Sequence, residues 1–180
     1  MECAWRLALT GTPGTGKTTI AAVLEKKGIR IDSVESLAER HGCIGEVDVI
    51  DGARPVDLGA LSVCLRDEWR DSPESTTVID GHLSHNLPVD GVIILRCSPE
   101  ELRVRLDERG YSDLKSTENI EWEFIGGAWN EREGHLPWVE FDTSADSVEC
   151  IVATLHDWIS DGLKPMSPRS AIDWVSVQEG

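Results

Sequence analysis

The sequence predicts an α/β fold in which helices flank a central parallel sheet. Apolar runs such as "GVIILR" are continuous rather than alternating, which implies strands buried on both faces. Stretches with helical periodicity and clear start and stop signals lie between them. A glycine-rich turn joins the first apolar run to the first helical one. No proline- or serine-rich linker divides the 180 residues, a length that suits one domain.

Taken in order, residues 5–10 read as a buried strand, and "TTIAAVLEKKG" from Thr18 as a helix stopped by Gly28. "IRID" is a short strand. "SVESLAERHG" is a helix, with Asp32 and Glu35 at the spacing of a capping box and Gly42 at its end. After the irregular "IGEVDVIDGARP", Pro55 opens a helix that runs to Arg70. "TTVID" is a β-branched strand closing on Asp80, and "GVIILR" is the next strand. In "SPEELRVRLDERG", Ser98 is the N-cap, Pro99 the first helical residue, Glu101 the return partner of a capping box and Gly110 the terminator. Ser112 caps a helix to about Arg132. "WVEFDT" is the last core strand. The helix over residues 147–160 puts Val148, Ile151, Val152, Leu155 and Ile159 on one face. The tail from Gly162 is loop-like and ends in an apolar cluster able to dock.

Five scattered cysteines without a C-x-x-C pair read as reduced thiols rather than a zinc site. No apolar run approaches the roughly 18–20 residues of a membrane span, and the N-terminus passes directly into a strand. The expectation is a soluble, cytoplasmic protein with no membrane partner. A formal net charge of −16 repels nucleic-acid phosphates, so direct nucleic-acid binding is not expected. The same charge suits a basic protein partner, or serves solubility alone.

Gly11, Gly16, Lys17 and Thr18 complete G-x-x-x-x-G-K-[ST], after a strand and before a helix, with Thr12, Pro13, Gly14 and Thr15 between. In such a loop, backbone N–H groups turn inward on an anion and the helix N-terminus adds positive charge. Lys17 is expected to reach the β- and γ-phosphates of ATP, Thr18 to ligate Mg²⁺ and Thr19 to touch the α-phosphate. Asp80, at the end of a neighbouring strand, is the expected acid of the metal's water shell. Neither N-K-x-D nor D-x-x-G occurs where a guanine-nucleotide switch needs them, and the chain is short for a large ATPase module. A compact kinase remains. Arg105 and Arg109, four apart on one helical face, are candidates to close over a transferring phosphoryl group, with pairing to Glu101 and Glu108 as the alternative.

"LTGTPGTGKTT", "VIDGHLSH", "LRCSPEELRVRLDERGYS", "TENIEWE" and "FDTS", in this order, resemble the small adenylate kinases of archaea and the eukaryotic nucleus, the isoenzyme-six type. The resemblance spans residues 5–160. It implies transfer of the γ-phosphoryl of MgATP to AMP, tolerance of other nucleoside monophosphates, and slow ATPase activity. It also implies a part in small ribosomal subunit maturation through a basic ribosomal protein. By the same resemblance, residues 33–70 form a monophosphate-binding segment, 105–132 a lid region and 162–180 a tail. Asp80 matches the metal-site aspartate, and His82 a histidine coupling phosphate chemistry to motion. Arg105 and Arg109 fall in the lid, Asp142, Thr143 and Ser144 beside the adenine, and Arg40 one position from the monophosphate-binding arginine. His85 stays open between a functional and a packing role. Two departures stand out: Gly126 and Gly127 interrupt a helix, so that it is expected to be kinked or shorter, and "CIGEVDVIDGARPVD" lacks the usual tyrosine and acids. The alternative functions are an ATPase assembly factor with incidental kinase activity and a shikimate- or gluconate-type metabolite kinase, against which "DGHLSH" argues.

Overall fold

A computed structural model describes residues 4–47, 54–131, 136–166 and 171–178. β1 (Arg6–Thr10) leads through the glycine-rich loop into α1 (Lys17–Lys26), followed by β2 (Arg30–Ser33), α2 (Val34–Arg40) and α3 (Leu58–Glu68). Then come β3 (Thr77–Asp80), a 3-10 turn at Ser84–Asn86, β4 (Gly91–Arg96), α4 (Pro99–Glu108), α5 (Asp113–Phe124) and α6 (Gly127–Asn130). β5 (Trp138–Asp142), α7 (Val148–Ser160) and the short α8 (Trp174–Gln178) close the series.

The five strands pair only in parallel, in the order β2-β3-β1-β4-β5. β1 is therefore central, and the C-terminal ends of β3 and β4 flank the loop that leaves it. That is where open α/β sheets bind ligands. The continuous apolar character of the strands has a direct cause. Leu7 and Leu9 pack with Ile20, Leu24, Phe141, Ile151 and Leu155 on the α1 and α7 side. Ala8 between them faces Leu37, Leu61 and Leu65 on the α2 and α3 side.

The expected caps at Ser98 and Ser112 form, each hydroxyl accepting the backbone N–H three residues on, and Ser147, expected inside the last helix, caps α7 in the same way. Four local expectations are corrected. Ser33, not Asp32, caps α2 by accepting from Ser36 N at 3.0 Å, while the Asp32 carboxylate is taken by the Ser33 N–H and the Arg40 guanidinium. α3 starts at Leu58, not Pro55, and stops at Glu68, short of Arg70. An antiparallel bridge between Ile44 and Val56 holds the chain extended there, and Asp57 supplies the cap. Glu101 does not close a capping box: its carboxylate pairs with Arg105, and Ser98 N–H donates to Ser144 Oγ instead. The helix from Ser112 ends at Phe124 and resumes as α6, while Arg132 lies outside the described residues. Gly126 takes φ +68°, and a Cβ on Gly127 would lie 2.0 Å from the Trp122 ring, so the glycine pair makes the break and lets an indole lie on the backbone.

Candidate active site

The glycine-rich loop is built against the end of β4. Gly11 has φ +142°, and a Cβ there would sit 2.3 Å from the Leu95 carbonyl oxygen, so only glycine lets the strand turn at this point. Gly14 and Gly16 also hold positive φ, and Gly16 precedes the first turn of α1. The Thr15 hydroxyl donates to Thr12 O at 2.9 Å. Lys17 Nζ donates to Gly11 O at 2.7 Å and Thr12 O at 3.1 Å, so its ammonium lies across the loop mouth. Burial pulls the Lys17 pKa down to about 8, against the opposing attraction of Asp80.

Thr18 and Asp80 line one cleft of about 390 Å³ together with Glu25, Asp32, Ser33 and Ser36. Burial raises the Asp80 carboxyl above its ordinary range, with Lys17 pulling the other way. Among the described residues the Asp80 carboxylate accepts no hydrogen bond. A half-buried, unpartnered carboxylate beside a free threonine hydroxyl is the donor set of a hard divalent cation, so the residues present fit Mg²⁺.

Behind the loop, Thr10 Oγ1 donates to His82 O at 2.5 Å. His82 Nδ1 lies 3.1 Å from Gly11 O, which can only accept; Nδ1 therefore carries the proton. Burial lowers the His82 pKa, with the Gly11 hydrogen bond working against it, which leaves the ring neutral at pH 7 with its Nε2 lone pair available. The Trp122 ring meets His82 edge-on, with centroids 6.3 Å apart. His85 is buried, with Nδ1 2.8 Å from Thr10 Oγ1 and Nε2 2.9 Å from Glu131 Oε2. It braces the end of β1 against the end of α6.

On the other side of the loop a cavity of about 440 Å³ is lined by Gly14, Gly16, Thr19, Ile20, Arg105, Arg109, Thr143, Asp146, Val148 and Ile151. Arg105 ties its walls together: the guanidinium donates to Thr143 Oγ1 and Thr143 O at 3.0 Å each and to Gly14 O at 3.4 Å. Of the "DTS" residues, only Thr143 lines the cavity. Asp142 instead accepts the Ser144 N–H and hydroxyl within its own turn. Half-buried Val148 gives the cavity an apolar edge, and Ile20 and Ile151, each 1% exposed, border it from within the core.

Arg40 lines neither cleft beside the loop, although its partner Asp32 borders the one that holds Thr18 and Asp80. It pairs with Asp32 at 2.7 Å and lines a separate cavity of about 260 Å³ with Arg6 and Thr77, the first residues of β1 and β3. No residue of the glycine-rich loop lines that cavity. The reason is the direction of α2, which starts at the C-terminal end of β2 and runs back toward the opposite sheet edge.

A family model for the AAA domain matches residues 7–126. Over 177 residues the chain is 37% identical to a protein of Archaeoglobus fulgidus described as "Putative adenylate kinase", covering 96% of this chain and 93% of that one. A protein of Pyrococcus abyssi with the same description is 38% identical over 175 residues, with the same coverage. The chain belongs to this small adenylate-kinase-like family. The family's fold is also seen in distant solved structures. Shikimate kinase from Acinetobacter baumannii in complex with shikimate superposes at TM-score 0.59 with 13% identity, covering 89% of this chain and 96% of that one. Deoxyadenosine kinase from M. mycoides with bound dATP superposes at 0.52 with 16% identity, over 84% and 97%. At such identities the likeness shows the fold, that of a phosphate-loop kinase. Among the described residues of this family member, no helix is long and apolar enough to cross a membrane.

Proposed function

We propose that the protein is a nucleotide kinase that transfers the γ-phosphoryl group of MgATP to AMP and hydrolyses ATP slowly. The observation that carries the reading is the buried Lys17 ammonium, held across the mouth of a helix-opening glycine loop on the same side as the unpartnered Asp80. The loop N–H groups and Lys17 bind the phosphates of ATP, and Thr19 meets the α-phosphate. Thr18 and Asp80 hold Mg²⁺, which when bound neutralises charge developing on the phosphoryl oxygens. Arg109 lies at the same cavity and is free to meet the transferring group, while Arg105 fixes the loop against Thr143. Val148, backed by Ile20 and Ile151, receives the adenine, with Thr143 beside it. Arg40, paired with Asp32 beside Arg6 and Thr77, is given no part in this reading.

His82 favours a second reading. Its neutral ring, anchored through Nδ1, offers Nε2 as a base to a water molecule at the γ-phosphate. With water as the acceptor, the chain becomes an ATP-hydrolysing assembly factor, and its net charge of −16 suits a basic small-subunit ribosomal protein.

Product analysis separates the two. With Mg²⁺ and ATP, two ADP formed per AMP consumed and little free phosphate support transfer. Phosphate released at one rate with or without AMP supports hydrolysis. The His82→Ala variant is expected to lose about a hundredfold in phosphate release while ATP affinity stays within about threefold. Equal losses in both would assign His82 to structure alone.

A further inference from the structure

Arg96, at the end of β4, is buried with two carboxylates, one of which touches the phosphate loop. Glu123 Oε1 accepts from Arg96 Nε at 2.6 Å, from Cys97 N at 3.2 Å and from Trp174 Nε1 at 3.1 Å. Its other oxygen, Oε2, accepts from the Thr12 hydroxyl at 2.6 Å. Trp174 belongs to the C-terminal segment, more than 150 positions along the chain from Thr12. That segment is docked by three further contacts. Ile172 N–H donates to Glu140 Oε2 at 2.9 Å, Arg96 donates to Ile172 O at 3.1 Å, and the Arg96 guanidinium lies 5.8 Å from the centroid of the Trp174 ring.

We propose that the C-terminal segment positions the phosphate loop, with the Trp174 indole and the Thr12 hydroxyl coupled through the shared Glu123 carboxylate. A carboxylate whose Oε1 is held by three donors has its plane fixed, and the direction of Oε2 is fixed with it. Oε2 in turn orients Thr12, whose carbonyl receives both Lys17 and the Thr15 hydroxyl. Loss of the indole N–H leaves Oε1 with Arg96 and Cys97 alone, which widens the range of carboxylate orientations and loosens the loop at Thr12. The inference rests on the reading of this loop as the nucleotide site. It makes Glu123 and Trp174 positioning residues, since neither lines the cavity beside the loop.

The test is a double-variant cycle read by calorimetric titration of MgATP into the full-length protein, with kcat, KM and melting temperature measured alongside. Trp174→Phe keeps an aromatic ring over Arg96 and removes the N–H. It is expected to weaken MgATP binding about three- to tenfold, with KM rising and kcat held within about twofold. In a Thr12→Val background the same substitution is expected to change affinity by less than about twofold. A lower melting temperature with unchanged affinity, or a full additive loss in the Thr12→Val background, would overturn the proposal. If Trp174→Phe does not fold, Ile172→Pro removes the N–H held by Glu140 without touching Glu123. The same loss of affinity is expected from it, and unchanged affinity overturns the proposal. A wild-type protein that fails to bind MgATP overturns the nucleotide reading as well. Binding by the wild type that neither variant alters overturns only the role of the segment.

Discussion

Lys17→Ala is expected to reduce ATP turnover by about a thousandfold or more while the protein remains folded. The side chain points across the loop mouth, and its two partners are loop carbonyls rather than core groups. The sign of its pKa shift explains why the fold survives. A lysine whose folded pKa is about 8, against an ordinary 10.5, is destabilising while charged. That penalty is present in full below about pH 8 and is relieved as pH rises from about 8 toward 10.5. Removing the amine removes the penalty, so the melting temperature at pH 7 is expected to hold within a few degrees. The same shift makes wild-type MgATP affinity fall as pH rises through about 8, with a proton taken up on binding. Calorimetry in two buffers of different ionisation enthalpy reads that proton. Wild-type turnover in the alanine variant would remove the loop from the mechanism.

The largest loss of stability is expected from Arg96→Met. The guanidinium is 2% exposed and binds Glu123 and Glu140 at 2.6 Å each, so its removal leaves two buried carboxylates without their counter-charge. Breaking a buried ion pair from one side costs about 3–5 kcal/mol. For a chain of this size that lowers the melting temperature by about 10 °C. The Arg96→Met/Glu123→Met double variant is expected to recover part of the loss, because an apolar pair leaves one buried charge fewer. A single variant that melts with the wild type would mean that the two carboxylates do not depend on Arg96.

The phosphate loop, the parallel strands and the serine caps at Ser98 and Ser112 were legible because each depends on residues close in sequence. Asp32 and Ser33 show where that reading ends. Both residue types cap helices, and the difference is that Arg40 engages the Asp32 carboxylate while the Ser33 hydroxyl is left for Ser36 N. The shift of α3 from Pro55 to Leu58 has the same origin, since the bridge between Ile44 and Val56 is invisible to local pattern. In the candidate site, Lys17 and Thr18 stand out through the motif and Asp80 through its strand end, whereas His82 is suggested only by the family resemblance. Glu123, within "TENIEWE", carries no local signal of its role, because its partners Thr12, Arg96 and Trp174 come from three distant stretches of chain. The pairing of Arg40 with Asp32 and its place beside Arg6 and Thr77 follow from the direction of α2, which sequence register does not show. The pair Gly126–Gly127 reads as a weak helix; the positive φ of Gly126 and the Trp122 indole lying on Gly127 explain it.

The central position of β1 also sets an order of events during synthesis. Trp5 bonds to Thr76 across 71 residues and Arg6 to Asp90 across 84, so the first strand made stays without either neighbour until about half the chain has emerged. At about 5–20 residues per second that wait lasts several seconds. Gly11 packs on the carbonyl of Leu95, so the loop cannot reach its bound shape before β4 is in place. Nucleotide in the surroundings therefore cannot help the nascent N-terminal half to fold, and an apolar strand must be kept from wrong partners throughout that interval.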